Sequence, residues 1–331
     1  MEIVINTPGT KLSIDNGMLM IRNNDEHQRL PLKQISSILV YRGSSLTSDL
    51  VYAAVENNID ILFGTRTGKP VARIWGNQFG SISTIRKKQI LFSQGDSCGE
   101  FVKGLIRKKL TNQVAVMMLL FKPNRSTDDL LNESIAYLEK YMEKLDTTDF
   151  TDLTDKADLL RGWEGSCSRK YFECINHHLP EQYRFERRSQ HPALDMFNSL
   201  LNYAYGMLYG KIESAMIHAG IDPFIGLFHR DDYNRPVFVY DIIEIFRYWA
   251  DIAVVNLCMQ QVIFPEFFTI DQGAYFLNSD GKRILIQSFN DCLDEIVSHN
   301  NLERSRITHI DLYLQEIARM FKEYQPIKNQ L

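Results

Sequence analysis

One histidine and two acids set in an apolar run mark the stretch 222–247, DPFIGLFHRDDYNRPVFVYDIIEIFR. His229 follows a glycine-containing turn, and from Val237 to Arg247 the only acids are Asp241 and Glu244. Burying a carboxylate is costly unless it is paired or binds a metal. Residues three apart share one helix face, so Asp241 and Glu244 are expected to converge on one ion. An imidazole with one or two carboxylates suits Mn²⁺ best among common ions, and also Zn²⁺ or Fe²⁺; Mg²⁺ takes histidine reluctantly. The chain has no HExxH or GxxxxGK[ST] motif, which argues against a zinc protease and a P-loop hydrolase. Metal-assisted phosphoryl transfer is the chemistry these residues support best.

The elements that must position them follow from the rest of the chain. With 331 residues, 44% hydrophobic and 24% charged, two globular domains are expected. No apolar run is long enough to span a bilayer, and MEIVINTPG has no basic region followed by an apolar core, so neither a membrane span nor a signal peptide is read. Five scattered cysteines without a CxxC pair point to a reducing cytoplasm. The fold class is α+β. Residues 1–76 form a small β-sandwich-like or folded-sheet domain, with strands near 2–6, 11–14, 18–21, 38–41, 59–63 and 70–74 between turn signals such as Arg66-Thr67-Gly68. It carries one helix at 48–56 and reads as a structural or dimerisation module. Residues 77–84 are the linker, and 85–331 are a larger all-α domain.

Within that second domain helices are expected at 85–91, 101–121 and 127–144, from about Thr154-Asp155 through ADLLRGWEGSCSRKYFECI, and at 196–218, 248–262, 284–297 and 306–323. Gly220 stands where a C-cap glycine would end the long helix 196–218, and a short strand or turn fits within 264–277. The formal net charge of −4 is mildly unfavourable for a protein that coats nucleic acid. Bases nevertheless concentrate at Arg86, Lys87, Lys88, Lys103, Arg107, Lys108, Lys109, Lys122 and Arg125, as a phosphate-backbone surface requires. Their bland alternative is a solvated helix face. Arg184, Arg187 and Arg188 are further candidates, which equally could pair with Glu181 and Glu186. Glu164, between Trp163 and Gly165, reads on its own as a surface acid.

Four segments in order, LLRGWEGSCSRKYF, HPALDMFNSLLNYAYGMLY, GIDPFIGLFH and FVYDIIEIFR, resemble the CRISPR-associated spacer-acquisition integrase family, Cas1. The resemblance is strong over 155–250, and the layout of a small β domain before a larger helical one is also similar. It implies a metal site of Glu164, His229 and Glu244, with Asp241 at the second acidic position supporting the site or a second ion. It places Arg188 and Asn198 at positions that shape a DNA-facing surface. Gln190, His191 and Ala193 depart from the family's Arg- and Pro-rich run, and Tyr248 stands where a proline often follows the FR pair.

The resemblance further implies Mn²⁺- or Mg²⁺-dependent attack of a DNA 3′-hydroxyl on a CRISPR repeat, which inserts a protospacer as a spacer. In the reverse direction the same site resolves branched DNA. It implies a homodimer, two of which flank a dimer of the small Cas2 partner as a hetero-hexamer. Two other readings stay open: a transposon-type integrase or branched-DNA repair nuclease of the same fold, and a non-catalytic DNA-binding scaffold subunit. Retention of Glu164, His229 and Glu244 together argues against the last.

Overall fold

The computed structural model describes residues 1–24, 26–65, 70–74, 76, 82–121, 128–153, 156–229, 235–299 and 301–326. The chain divides into two compact units, Met1–Gly80 and Ser81–Leu331. The expected turn at Arg66-Thr67-Gly68, the helix start at Thr154-Asp155, the bases Lys122 and Arg125, and linker residues 77–81 lie outside the described residues.

The first unit holds two four-stranded sheets. In one, β1 (Glu2–Ile5), β5 (Ser37–Val40) and β7 (Asp60–Gly64) run parallel, and β8 (Pro70–Ile74) pairs antiparallel with β7. In the other, β2 (Lys11–Asp15), β3 (Met18–Asn23) and β4 (Glu26–Pro31) form an antiparallel meander, and the short β6 (Ser45–Leu46) runs parallel to β2. Parallel strands require a crossover, which the helix α1 (Ser48–Glu56) supplies between β5 and β7. Thr47, one residue before the helix's expected start at Ser48, caps α1 by accepting the Leu50 N–H at 3.4 Å. Period-two alternation sends Ile38 and Ile61 into a core with Leu12, Leu19, Leu50 and Ala54. The neighbouring Leu39 and Leu62 form a second small cluster with Tyr41. Strand β4 was not foreseen because its residues, EHQRLP, are mostly exposed and carry no apolar alternation.

The second unit is mainly helical: α2 (Ile82–Ser93), α3 (Ser97–Phe121), α4 (Asp129–Thr147), α5 (Ala157–His178), α6 (Met196–His218), α7 (Val237–Ile243), α8 (Arg247–Met259), α9 (Ser279–Asp294) and α10 (Arg306–Glu323). Residues 82–84, expected in the linker, form the first turn of α2. Helix α6 is buried on nearly every side, the pattern of a central core helix. Its end is built by Gly220 at φ +80°, with Gly220 N–H donating to Ile217 and Ile221 N–H to Met216, both at 3.0 Å. That double bond to the last turn is what a C-terminal glycine makes possible. Two hairpins interrupt the helices. The hairpin of β9 (Phe268–Asp271) and β10 (Ala274–Leu277) turns through Gln272 and Gly273, both at positive φ. Strands β11 (Ile296–His299) and β12 (Leu302–Ser305) form the other, so the helix expected over 284–297 ends earlier, at Asp294. Among the described residues no helix is long and apolar enough to cross a membrane.

Candidate active site

The loop between α6 and α7 carries His229, and three elements hold it. A Cβ on Gly226 would lie 2.8 Å from Val237 Cγ2 and 3.0 Å from the His229 carbonyl, so only glycine lets the loop close against α7. Asp241, on α7, accepts the backbone N–H groups of Leu227, Phe228 and His229 at 2.7, 3.1 and 2.9 Å. Gln89, fully buried on α2, donates to the carbonyls of Asp222 and Ile225 and accepts the Asp222 N–H, at 2.9, 3.0 and 3.0 Å. Arg161, one turn before Glu164 on α5, donates to the Phe228 carbonyl at 2.8 Å and lies over the Phe228 ring.

Asp241 also reaches the imidazole, with Oδ1 2.6 Å from His229 Nδ1. A carboxylate accepts only, so Nδ1 carries the proton in this pair and Nε2 keeps its lone pair for a ligand. The expectation that Asp241 and Glu244 converge on one point is corrected by this geometry. Helix α7 stops at Ile243, Glu244 caps it, and the two carboxylates serve different partners.

Glu244 and Glu164 meet instead on Lys109, from α3. The Lys109 ammonium contacts Glu164 Oε1 and stands 2.5 Å from Glu244 Oε2. Ser168 Oγ donates to the same Glu164 oxygen at 2.9 Å, and Arg247 pairs with Glu244 Oε1 at 3.0 Å. Burial disfavours the charged form of Glu244, but Arg247 and Lys109 outweigh it and hold the carboxyl at about 2. Burial likewise works against the Lys109 proton, and Glu244 and Glu164 hold its pKa above the ordinary lysine value.

These groups line a cavity of about 640 Å³, within the range of ligand pockets. Phe172, Tyr205 and Arg188 stand on its wall, and Asp251 lies at its back. Asp251 accepts Tyr171 at 2.8 Å and Tyr205 at 2.6 Å. Burial pushes its pKa up, against those two hydrogen bonds. His229 is not among the lining residues, and among the described residues no three His, Cys, Asp or Glu side chains are gathered closely enough to hold an ion. Two observations nevertheless fit a cation here. A cation, Lys109, already sits where carboxylates from two elements meet. Glu244 Oε2 is buried and makes no hydrogen bond, although the Lys109 ammonium stands 2.5 Å from it.

A family profile described as "CRISPR associated protein Cas1" matches residues 3–291. The chain belongs to the Cas1 family. The CRISPR-associated endonuclease Cas1 1 of Archaeoglobus fulgidus is 25% identical, over 96% of this chain and 95% of that protein. The CRISPR-associated endonuclease Cas1 2 of Rhodospirillum rubrum is 26% identical, over 95% and 92%. Two solved structures share the fold, each with a TM-score of 0.81. A CAS1 protein from Thermotoga maritima is 18% identical, with all of both chains covered. A casposase bound to its integration product is 20% identical, covering 99% of this chain and 93% of that one.

In this Cas1 chain the sequence-named residues fall into three groups. Glu164 and Glu244 are brought together through Lys109, and His229 is held with Asp241. Arg187 is exposed and Arg188 half-buried, and both line the cavity. Asn198 is fully buried and faces no solvent: its oxygen accepts from Arg188 and from Ser189 N–H, and its amide donates to the Arg187 carbonyl. It shapes the arginine surface from behind and does not contact it from outside. On α2, Lys87 is exposed, whereas Lys88 donates to the Tyr324 carbonyl at 2.6 Å and Arg86 lies 3.7 Å from Asp222.

In the basic stretch of α3 one residue is corrected, Lys109. Lys103 pairs with Glu100 and Arg107 with Asp146, Lys108 lies over Tyr313, and Lys109 is buried between the acids. Sequence reasoning therefore placed Lys109 on the wrong surface, and it passed over Gln89, Arg161 and Asp251. A glutamine on the otherwise apolar buried face of α2, with Ile85 and Phe92, was the available signal for the first of them.

Proposed function

We propose that this Cas1 protein is a Mn²⁺- or Mg²⁺-dependent DNA endonuclease and integrase that inserts short DNA into a CRISPR array. The observation that carries this is the meeting of Glu164 and Glu244 on one buried cationic position; His229, whose Nδ1 is fixed by Asp241, lies close enough to Glu244 to act on its charge. Glu164, Glu244 and the Nε2 of His229 would hold the ion. Bound there, a divalent ion would supply positive charge that stabilises the phosphate and activates the attacking 3′-hydroxyl. Asp241 keeps the imidazole in the ligating tautomer. Arg247 stays on Glu244 and fixes its rotamer. Arg187 and Arg188, with Arg86, Lys87 and Lys88, meet phosphates, and Asn198 orients Arg188.

The protospacer and the CRISPR repeat are the DNA substrates. A complex containing Cas1 and Cas2 shares this fold at a TM-score of 0.79 and 19% identity, the match covering 100% of this chain and 36% of that one. The assembly proposed here is a homodimer, joined through the β-rich unit, with two such dimers flanking a Cas2 dimer as a hetero-hexamer. No membrane is involved, and the setting is the cytoplasm.

A strand-transfer assay tests the reading. Short duplexes with free 3′-hydroxyls are offered a plasmid carrying a repeat, with and without a Cas2 partner, in Mn²⁺ or Mg²⁺. Ion-dependent joining at the repeat supports it. Joining spread evenly over the plasmid, whatever the partner, would instead mark a transposon-type integrase.

A further inference from the structure

Lys109, the one buried lysine among the described residues, has no role in the chemistry above. Lys109 is 6% exposed on α3, and its ammonium is shared by Glu164, on α5, and Glu244, at the end of α7. Arg247 closes the set from the other side of Glu244. Two carboxylates, one ammonium and one guanidinium sum to zero charge. This cluster of four is thus electroneutral without an ion, and neither acid stands buried and unpaired, which would otherwise be strongly destabilising.

A divalent ion held by the same two carboxylates must take the position of the ammonium, because two cations cannot share it at contact distance. We propose that Lys109 is a built-in stand-in for the metal: it occupies the carboxylates in the ion-free protein and is displaced into the adjoining cavity when the ion enters. This rests on the metal reading above. Entry of the ion adds two positive charges to this neutral cluster, which matches the charge of a phosphodiester plus a deprotonating hydroxyl. It leaves the ammonium tethered by its own stem at the cavity wall it already lines. Lys109 is a positioning residue in this scheme. Its competition with the ion sets how much Mn²⁺ the site needs.

The test uses the full-length protein and Mn²⁺ alone, without DNA. Free Mn²⁺ is followed by electron paramagnetic resonance during titration of wild type and Lys109→Met. Methionine keeps the length and apolar stem but removes the competing charge. About tenfold tighter Mn²⁺ binding is expected, together with a lower Tm in chelator that Mn²⁺ restores. Binding that is unchanged or weaker in Lys109→Met overturns the proposal. Should the variant fail to fold, wild type alone still decides. Amine labelling of Lys109, read by mass spectrometry, rises on adding Mn²⁺ if the ammonium is expelled; labelling equal in Mn²⁺ and chelator overturns the proposal. Wild type that binds no Mn²⁺ at all overturns the metal reading as well, whereas tight binding with Lys109 protection unchanged removes only the stand-in.

Discussion

Asp241 Oδ1 lies 2.6 Å from His229 Nδ1 and 2.9 Å from the backbone N–H of the same residue. One carboxylate therefore sets both the path of the loop and the tautomer of the ring it carries. Asp241→Asn keeps the shape but offers an amide where three N–H groups and an imidazole N–H need acceptors. Mn²⁺ affinity is expected to fall about 10–100-fold, as when an outer partner of a metal-bound histidine is lost. Asp241→Ala leaves the loop N–H groups without a partner, at about 1–3 kcal/mol each. Denaturant unfolding of the two variants separates the loss of folding from the loss of ion binding.

Glu164→Ala, His229→Ala and Glu244→Ala are each expected to abolish ion-dependent strand joining, yet they differ in stability. Glu164 is partly exposed, and its loss leaves Lys109 paired with Glu244. Removing Glu244 strands Arg247 and deprives Lys109 of its nearer-buried partner, and breaking a buried pair costs about 3–5 kcal/mol. Thermal unfolding in chelator should rank Glu244→Ala well below the other two. Equal Tm values would contradict the pairing described.

Gln89 reaches the histidine loop without touching His229. Gln89→Ala removes three hydrogen bonds from the turn at Asp222 and Ile225. Joining activity should fall because the loop loosens, with a stability cost of about 1–3 kcal/mol. Gln89→Glu should also fail to restore it, since a carboxylate cannot donate to the two carbonyls.

Glu244 also gives the acid behaviour of the ion-free protein a direction. Its folded pKa of about 2 lies below the ordinary value of 4.5, because Arg247 and Lys109 overcome burial. A carboxyl lowered on folding lends stability that is complete above its unfolded pKa and is lost as pH falls through the folded one. Between pH 4.5 and about 2 the Tm of wild type should therefore drop more steeply than that of Glu244→Gln.

On α2 the three bases should behave differently. Lys87 is exposed, so Lys87→Glu is expected to weaken DNA binding and lower the salt slope by about 1. Lys88 holds the Tyr324 carbonyl and Arg86 faces Asp222, so their reversal should disturb the packing of the helix before the salt slope.

Much of the fold was legible where local rules dominate. Helices α6 and α10 match their expected spans, because apolar periodicity and, for α6, the Gly220 end decide them; in the structure Asp195 and Ser305 cap them. Strand β4 was not, since pairing with β3 decides it against a polar sequence. In the site, His229, Asp241, Glu244 and Glu164 stood out by type and motif. What could not be read was where each carboxylate points. The break after Ile243 sends Asp241 to the loop and Glu244 to Lys109, and only the packing of α3 against its neighbours turns a lysine from a basic run into the interior.

The most direct measurement is phosphoryl transfer on a branched DNA that mimics a half-inserted spacer, with wild type and Glu164→Ala, in Mn²⁺ and in chelator. The account predicts strand transfer that closes the branch only for wild type with Mn²⁺. Closure in chelator, or closure by Glu164→Ala at the wild-type rate, would contradict it.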